Sequence, residues 1–373
     1  MSAQIPAIPG QLVPHHLCQG LRQVVGELSG TFRATFPGSQ PVSFTKSTSL
    51  PELLRTNYLV CEKSDGVRVL VLMLVTDNRP QTYFITRKNE YYLAPFCAFP
   101  THTTNLQMPT QFHHRTLIDA ELVIDIHPGG KVERKLLGFD ALSVNGTNCM
   151  SLIFEKRLGQ LRDYVFDPFR RMSRFMAPAQ RQHLPFAVEM KVFERSYGAA
   201  KVQFETIPRL LHKSDGLIFT SVEAPYTPGT CASIIKWKPA SENSVDFKLH
   251  VIDPISLDVR LLVWMGGTEY TEYGRLALSP EDLGRGAMAG IRSASELEGR
   301  IAETLFDAEN NGGRWRFLRF RDDKPHGNHL TTVEKIRESM DDNLELPELL
   351  ESMVAVRTAW KEREAKRMPQ VPN

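Results

Sequence analysis

Lys63 stands in the string Glu62-Lys63-Ser64-Asp65-Gly66-Val67-Arg68, at the end of a run with strand character and just before a tight turn. A lysine so placed could do covalent chemistry. Its amine attacks a phosphate only when neutral, and its reference pKa is about 10.4. Nearby cations and partial desolvation lower that value. Arg68, two residues past the glycine, is such a cation, and its guanidinium fork suits the phosphate under attack. The same string also describes a surface hairpin with solvated charges, and alone it does not decide between the two.

Other strings carry chemistry of the same kind: Thr86-Arg87-Lys88-Asn89, Asp119-Ala120-Glu121-Leu122-Val123, Phe139-Asp140, Asp215-Gly216-Leu217-Ile218-Phe219 and Lys236-Trp237-Lys238. Lys236 and Lys238 share one face of a strand, an arrangement suited to a triphosphate or to a solvated edge that blocks aggregation. Glu121 alternates with Leu122 and could face solvent, and Phe139 in an apolar strand could be core. Near the C-terminus, Trp315 to Lys324 interleaves aromatic and basic residues, the pattern of an OB-fold strand that touches RNA.

These residues need strands to hold them. Strand patterns run over 58–62, 67–75, 81–86, 90–94, 117–126, 136–142, 186–194, 216–222, 233–237, 245–252, 259–264 and 315–320. Helical spacing appears near 21–28, over 151–164, from Ser295 to Phe306, and from Thr331 to Met368 as one or two charged helices broken at Pro347. The first fifty residues, rich in Pro, Ser and Gly, are expected to wrap the surface. The texture shifts after Pro239, which puts a domain boundary near 240–246.

Composition narrows the class. The 373 residues suffice for two domains, and 42% hydrophobic with 24% charged residues describes a globular chain. Lys and Arg total 45 against 43 Asp and Glu, so any nucleic-acid contact must come from a local basic surface. The N-terminus lacks a secretory pattern, and the longest apolar run, Val69 to Val75, is far short of the roughly 20 residues that span a membrane. The five cysteines are scattered without a C-x-x-C pair, which excludes the usual zinc spacing and a disulfide framework, and fits a reducing compartment. His15-His16 and His113-His114 lack partners in metal-ligand spacing.

Taken in order, the strings resemble the covalent nucleotidyltransferase superfamily of capping enzymes and polynucleotide ligases over nearly the whole chain. The resemblance implies an α+β architecture: a nucleotidyltransferase domain of ATP-grasp-like antiparallel sheets over 1–244, and an OB-fold β-barrel over 245–330. A helical segment over 331–373 could pack back on the first domain. Lys63 to Arg68, with Asp65, matches the nucleophile motif. Arg87 and Glu121 match ribose contacts, Phe139 the ring that stacks on the base, and Lys236 and Lys238 the phosphate-binding K-x-K motif. Ala120 departs from the family's usual glycine. Asp215, with Glu121, is expected to orient a metal through its water shell. Lys191 aligns with the guanine-contacting lysine, with Lys213 as its rival.

Arg321, Asp323 and Lys324, with Asn328 just beyond, resemble the capping-enzyme R-x-D-K signature that orients the leaving pyrophosphate, and Asp246 the acidic residue near the leaving phosphates. The run Phe36 to Ser43 resembles fungal-type cellular capping enzymes. The chain ends soon after the OB region and shows no C-x5-R phosphate loop, so a single-function enzyme beside a separate RNA 5′-triphosphatase is expected. The resemblance therefore implies an mRNA guanylyltransferase. It would use GTP with Mg²⁺ or Mn²⁺, act on 5′-diphosphate RNA, and work in the nucleus on the phosphorylated tail of RNA polymerase II, away from membranes. An ATP-dependent polynucleotide ligase, and a catalytically silent RNA- or polymerase-tail-binding module, are the alternatives.

Overall fold

A computed structural model describes residues 6–32, 35–95, 97–239, 242–307, 314–342 and 344–367. The chain divides into two compact units, one formed by 1–43, 50–237 and 350–373, the other by 44–49 and 238–349. The expected C-terminal segment is thus shared: 331–349 count with the second unit and 350–373 with the first. The expected end of its helix at Met368 lies outside the described residues.

Strands are numbered in chain order. In the first unit, one sheet contains β1 (Gln11–Leu12), β4 (Val67–Thr76), β5 (Arg79–Thr86), β6 (Tyr91–Leu93), β7 (Thr116–Ile126), β8 (Val132–Val144), β9 (Thr147–Asn148) and β10 (Ala187–Met190). Their order is β1-β6-β5-β4-β7-β8-β10, with β9 pairing only β8. The second sheet orders β11-β3-β12-β13-β2, from β2 (Ser39–Ser43), β3 (Tyr58–Ser64), β11 (Glu194–Arg195), β12 (Ser214–Ser221) and β13 (Gly229–Trp237). Both faces of the central strand β4 are covered. Val69, Val71 and Met73 face a core with Phe84, Phe99 and Phe166, while Leu70, Leu72 and Leu74 face one with Leu28 and Tyr91. That explains why Val69 to Val75 reads as an unbroken apolar run.

The second unit is a closed barrel in the order β14-β15-β16-β18-β17. Its strands are β14 (Ser244–Asp253), β15 (Asp258–Gly266), β16 (Glu269–Ala277), β17 (Ile301–Asp307) and β18 (Arg314–Phe320). Five strands closed in this order make an OB fold. Val245, Phe247 and Leu249 alternate inward on β14, as Val259, Leu261 and Val263 do on β15.

Three local expectations are corrected. The helix expected from Ser295 to Phe306 is a short 3-10 turn, Ala294–Leu297, followed by strand β17. Ser293 caps that turn through Ser295 N at 3.2 Å, and Gly299 at φ +74 ends it. Ile301 and Ala302 then close the barrel against β14 and β18. The C-terminal helices, Leu330–Asp341 and Leu346–Arg367, separate before Pro347, which occupies a helix's first turn, where its missing N–H costs little. The strand expected over 186–194 stops at Met190, and β11 resumes in the other sheet, so Lys191 sits at the crossover.

Candidate active site

Lys63 is held at the end of β3 by close backbone packing. A Cβ on Gly66 would lie 2.3 Å from the Leu122 carbonyl oxygen, so only glycine lets the turn lie against β7. Asp65 N donates to the Lys213 carbonyl at 2.9 Å, and Ser214 Oγ donates to the Lys63 carbonyl at 3.0 Å. Across the β3–β12 pairing, Ser214 faces Ser64 but Leu217 faces Glu62, so β12 carries one extra residue. Such a bulge re-aims a side chain. Here it brings Asp215 to Lys63, whose ammonium donates to Asp215 Oδ1 at 2.5 Å, with the two side chains 24% and 25% exposed. His212, three residues earlier, is tied to Asp125 through Nδ1 at 2.7 Å, which anchors the segment carrying Asp215.

A second bulge positions Phe139. Asp119 pairs with Asp140 but Ala120 pairs with Gly138, leaving Phe139 as the extra residue of β8. Its ring is half-buried, with the Arg68 guanidinium 5.5 Å and the Lys191 ammonium 5.9 Å from its centroid. Lys191 leaves β10 with its backbone N donating to the Gly138 carbonyl at 2.9 Å. Its buried ammonium donates to the Glu62 carbonyl at 3.1 Å and Ser64 Oγ at 3.0 Å, and pairs with Glu62 Oε1 at 3.3 Å. Burial alone would lower the Lys191 pKa, but Glu62, Cys61 and Glu121 together more than offset it and the net shift is upward. Lys213, the rival, is exposed.

Glu121 lies opposite Arg68 in the β4–β7 register. Part of its surface stays open, yet enough chain crowds its carboxyl that desolvation raises the pKa, against the pull of Lys191, Arg68, Arg87 and Lys63. Arg87, just past β5, is exposed. In the first unit Lys191, Arg68, Arg87 and Lys63 all act on Glu121, Phe139 lies beside Arg68 and Lys191, and Asp215 pairs with Lys63. Lys236 is half-exposed on β13, opposite Ile218 and next to the buried Trp237. Lys238, the first residue of that stretch of the second unit, is also half-exposed.

Arg68, expected to meet the phosphate under attack, is held here by protein groups. Its Nε and one terminal nitrogen bind Asp119 at 2.9 and 2.6 Å, and the other terminal nitrogen donates to the Ser39 carbonyl. The pair is deeply buried, with Arg68 7% and Asp119 0% exposed at the side chain, and Tyr226 Oη donates to the same carboxylate at 2.5 Å. Burial alone would lower the Arg68 pKa; Asp119 reverses the sign and holds the guanidinium charged. In this geometry Arg68 locks β4 to β7 and β2.

In the second unit, Asp246 points outward between the inward Val245 and Phe247 and is nonetheless covered. Arg321 contacts Asp246 Oδ2 at 3.1 Å and forks onto Asp323 at 2.9 Å twice, while Lys324 also donates to Asp246. Asn328 closes the cluster: its side chain accepts from Asp246 N, and its backbone N donates to the Asp246 carbonyl, both at 2.7 Å. A Cβ on Gly327 would come within 2.6 Å of that carbonyl, so the close approach requires glycine there. The Arg321 fork lowers the Asp323 pKa to about 2.

The family profile described as mRNA capping enzyme, catalytic domain, matches residues 4–240, and that described as mRNA capping enzyme, C-terminal domain, matches 242–350. The chain belongs to the mRNA capping enzyme family. It is 37% identical over 372 residues to the mRNA-capping enzyme subunit alpha of Schizosaccharomyces pombe, covering 96% of this chain and 89% of that protein. With the subunit of the same name from Saccharomyces cerevisiae it is 34% identical over 412 residues, covering 96% and 88%. Among solved structures, mycobacterial DNA ligase D complexed with ATP and MES aligns at 14% identity over 77% of this chain and 95% of that one, with a TM-score of 0.40.

As a member of the capping family the protein is a nucleotidyltransferase, and membership implies GTP and RNA as its substrates. Membership does not support the ligase alternative. Among the described residues no three His, Cys, Asp or Glu side chains gather as a metal site, and no helix is long and apolar enough to cross a membrane. A single carboxylate such as Asp215, with Glu121 reaching through water, still fits Mg²⁺, which binds through one or two carboxylates plus phosphates and keeps several waters. All five cysteines are buried and unpaired. The residues that sequence reasoning missed hold the candidate ones in place: Asp119 under Arg68, Glu62 and Ser64 under Lys191, and Arg157, whose fork holds Asp140 at 2.7 and 3.0 Å beside Phe139. The alternating acids Asp119 and Glu121 were a visible signal, since a buried strand face admits a carboxylate only with a partner.

Proposed function

We propose that the protein is an mRNA guanylyltransferase that carries GMP on Lys63 and delivers it to 5′-diphosphate RNA. The observation that carries this reading is Lys63 paired to Asp215 in the same unit as Phe139, Lys191 and Glu121. Guanine stacks on Phe139 with Lys191 donating to its O6, and Arg87, Glu121 and Asp65 hold the ribose side of the nucleotide. Lys63 Nζ gives up its proton to solvent and bonds to the α-phosphorus, and the bond to the bridging oxygen breaks to release pyrophosphate. Arg321, Asp323, Lys324 and Asp246 orient that leaving group, while Lys236 and Lys238 meet the charge developing on the α-phosphate. Asp215, with Glu121, would hold Mg²⁺ or Mn²⁺, which supplies Lewis-acid stabilisation of the phosphoryl oxygens. In the second step a terminal oxygen of the RNA diphosphate bonds to the same phosphorus. The P–N bond breaks, and Lys63 regains its proton as GpppN leaves.

Two half-reactions through one covalent form imply ping-pong kinetics. We infer further that it works in the nucleus, beside a separate RNA 5′-triphosphatase and on the phosphorylated tail of RNA polymerase II, a reading that membership of a family acting on mRNA supports. Incubation with α-³²P-GTP or α-³²P-ATP and Mg²⁺, followed by a denaturing gel, tests the reading. Acid-labile label from GTP alone, absent in Lys63→Ala, is the expected result. Label from ATP instead overturns the choice of nucleotide, and no label from either overturns the covalent mechanism.

A further inference from the structure

The outer face of the barrel carries a group of rings that the nucleotide chemistry leaves unused. Because Val263 and Leu261 point inward on β15, Trp264 points out, and Tyr270 lies directly opposite it on β16. His326, two residues past Lys324, lies flat against the Trp264 indole, with centroids 4.7 Å apart and planes 3° from parallel. Its Nδ1 shares a hydrogen bond with the Tyr270 hydroxyl at 2.7 Å. Lys248, outward on the neighbouring β14, places its ammonium 4.7 Å from the Tyr270 centroid. All four side chains are half-exposed.

A parallel ring stack left half-open beside an ammonium matches a flat π-surface that carries negative charge, the chemistry of a nucleotide. OB folds take oligonucleotides on the face of their second and third strands, the places held here by β15 and β16. Single strands bind such faces by stacking on aromatic rings while cations track the backbone. Glu272, an acid on the same face, is held by Arg260 at 2.8 Å. The platform also adjoins the Asp246 cluster: Asn328, which holds Asp246, accepts through its carbonyl from Trp264 N at 3.3 Å.

We propose that Trp264, His326, Tyr270 and Lys248 form a platform for the acceptor RNA. A base near the RNA 5′ end extends the Trp264–His326 stack, and Lys248 holds a phosphate. The proposal rests on the capping reading, because RNA is that reaction's second substrate.

The test is fluorescence anisotropy of a labelled 5′-diphosphate RNA of about ten nucleotides, within the site sizes of OB folds, titrated with the full chain. Trp264→Ala is expected to raise Kd about 5- to 150-fold, the equivalent of the 1–3 kcal/mol per stacked base. Trp264→Phe, which keeps a ring, recovers most of the affinity. His326→Ala, in a segment outside the strands, gives an independent loss if Trp264→Ala does not fold, as read by thermal melting. Unchanged RNA affinity in folded Trp264→Ala and His326→Ala overturns the platform. So does a phosphoserine peptide that loses affinity in these variants while RNA does not, since that assigns the face to a protein partner. GTP labelling of the wild-type protein separates the two readings: intact labelling with unchanged RNA binding sinks only the platform, whereas absent labelling with RNA binding lost sinks only the transfer reaction.

Discussion

Replacing Asp119 by Ala should destabilise the protein far more than an average point change. The substitution removes both acceptors of the Arg68 fork and the acceptor of the Tyr226 hydroxyl, leaving a buried guanidinium without its counter-charge. Breaking a buried pair by deleting one partner costs about 3–5 kcal/mol. For units of this size each kcal/mol lowers Tm by about 2–4 °C, so the expected fall is roughly 6–20 °C. The double variant Asp119→Ala with Arg68→Met removes both charges and should recover much of that loss, because a buried pair exchanged for apolar side chains is often neutral. Calorimetry of wild type, both single variants and the double variant closes the cycle. GMP labelling should fall with Asp119→Ala, since the β4–β7 pairing that sets Glu121 is the one this pair locks. A Tm loss below about 2 °C for Asp119→Ala, or a double variant less stable than either single, would refute the assignment of Arg68 to a locking role.

Gly66→Ala should abolish labelling and destabilise by about 1–3 kcal/mol, because its Cβ meets the Leu122 carbonyl backbone and forces the Lys63 turn off β7; normal labelling with an unchanged melt would count against that packing. Lys191→Met should raise the KM for GTP more than it lowers kcat and weaken the preference for GTP over ATP in labelling, and unchanged discrimination would move the guanine contact to another residue. Asp323, 65% exposed yet forked by Arg321, should titrate in ¹³C NMR with a midpoint at about 2. Its folded pKa is depressed, so its contribution to stability is present above the unfolded value of about 3.9 and is lost as pH falls toward about 2; a midpoint near the unfolded value means that the fork does not persist in solution.

Much of the site could be read along the chain because it is built from local strings with fixed chemistry. Lys63 before a turn, Asp215 before a glycine, and Arg321 with Asp323 and Lys324 each lie on or beside a strand end, and strand ends are visible in patterns of apolar residues and glycine. Strands β14 and β15 were legible in their alternation, where inward residues are apolar and outward ones polar, whereas the barrel they belong to was implied only by the resemblance. Lys63 facing Asp215, and Arg321 with Lys324 on Asp246, bring together residues that the strings had already singled out.

Tertiary structure decided what period-two reasoning cannot see. Whether Phe139 turns into a core or toward Arg68 and Lys191 depended on one extra residue in β8, and the aim of Asp215 on one extra residue in β12. A bulge reverses the side of a strand on which a residue emerges, and its location depends on the partner strand. The role of Arg68 was likewise set from a distance, by Asp119 on β7, Ser39 on β2 and Tyr226 before β13. The strand at 301–307 read as a helix because its neighbours in sequence suit one, and only closure of the barrel against β14 and β18 makes the extended form win. The sequence by itself determined which residue types could do the chemistry and in what order they occur. Which of them face one another was decided by pairings between distant strands, because a hydrogen-bonded register is a property of two segments and is written in neither alone.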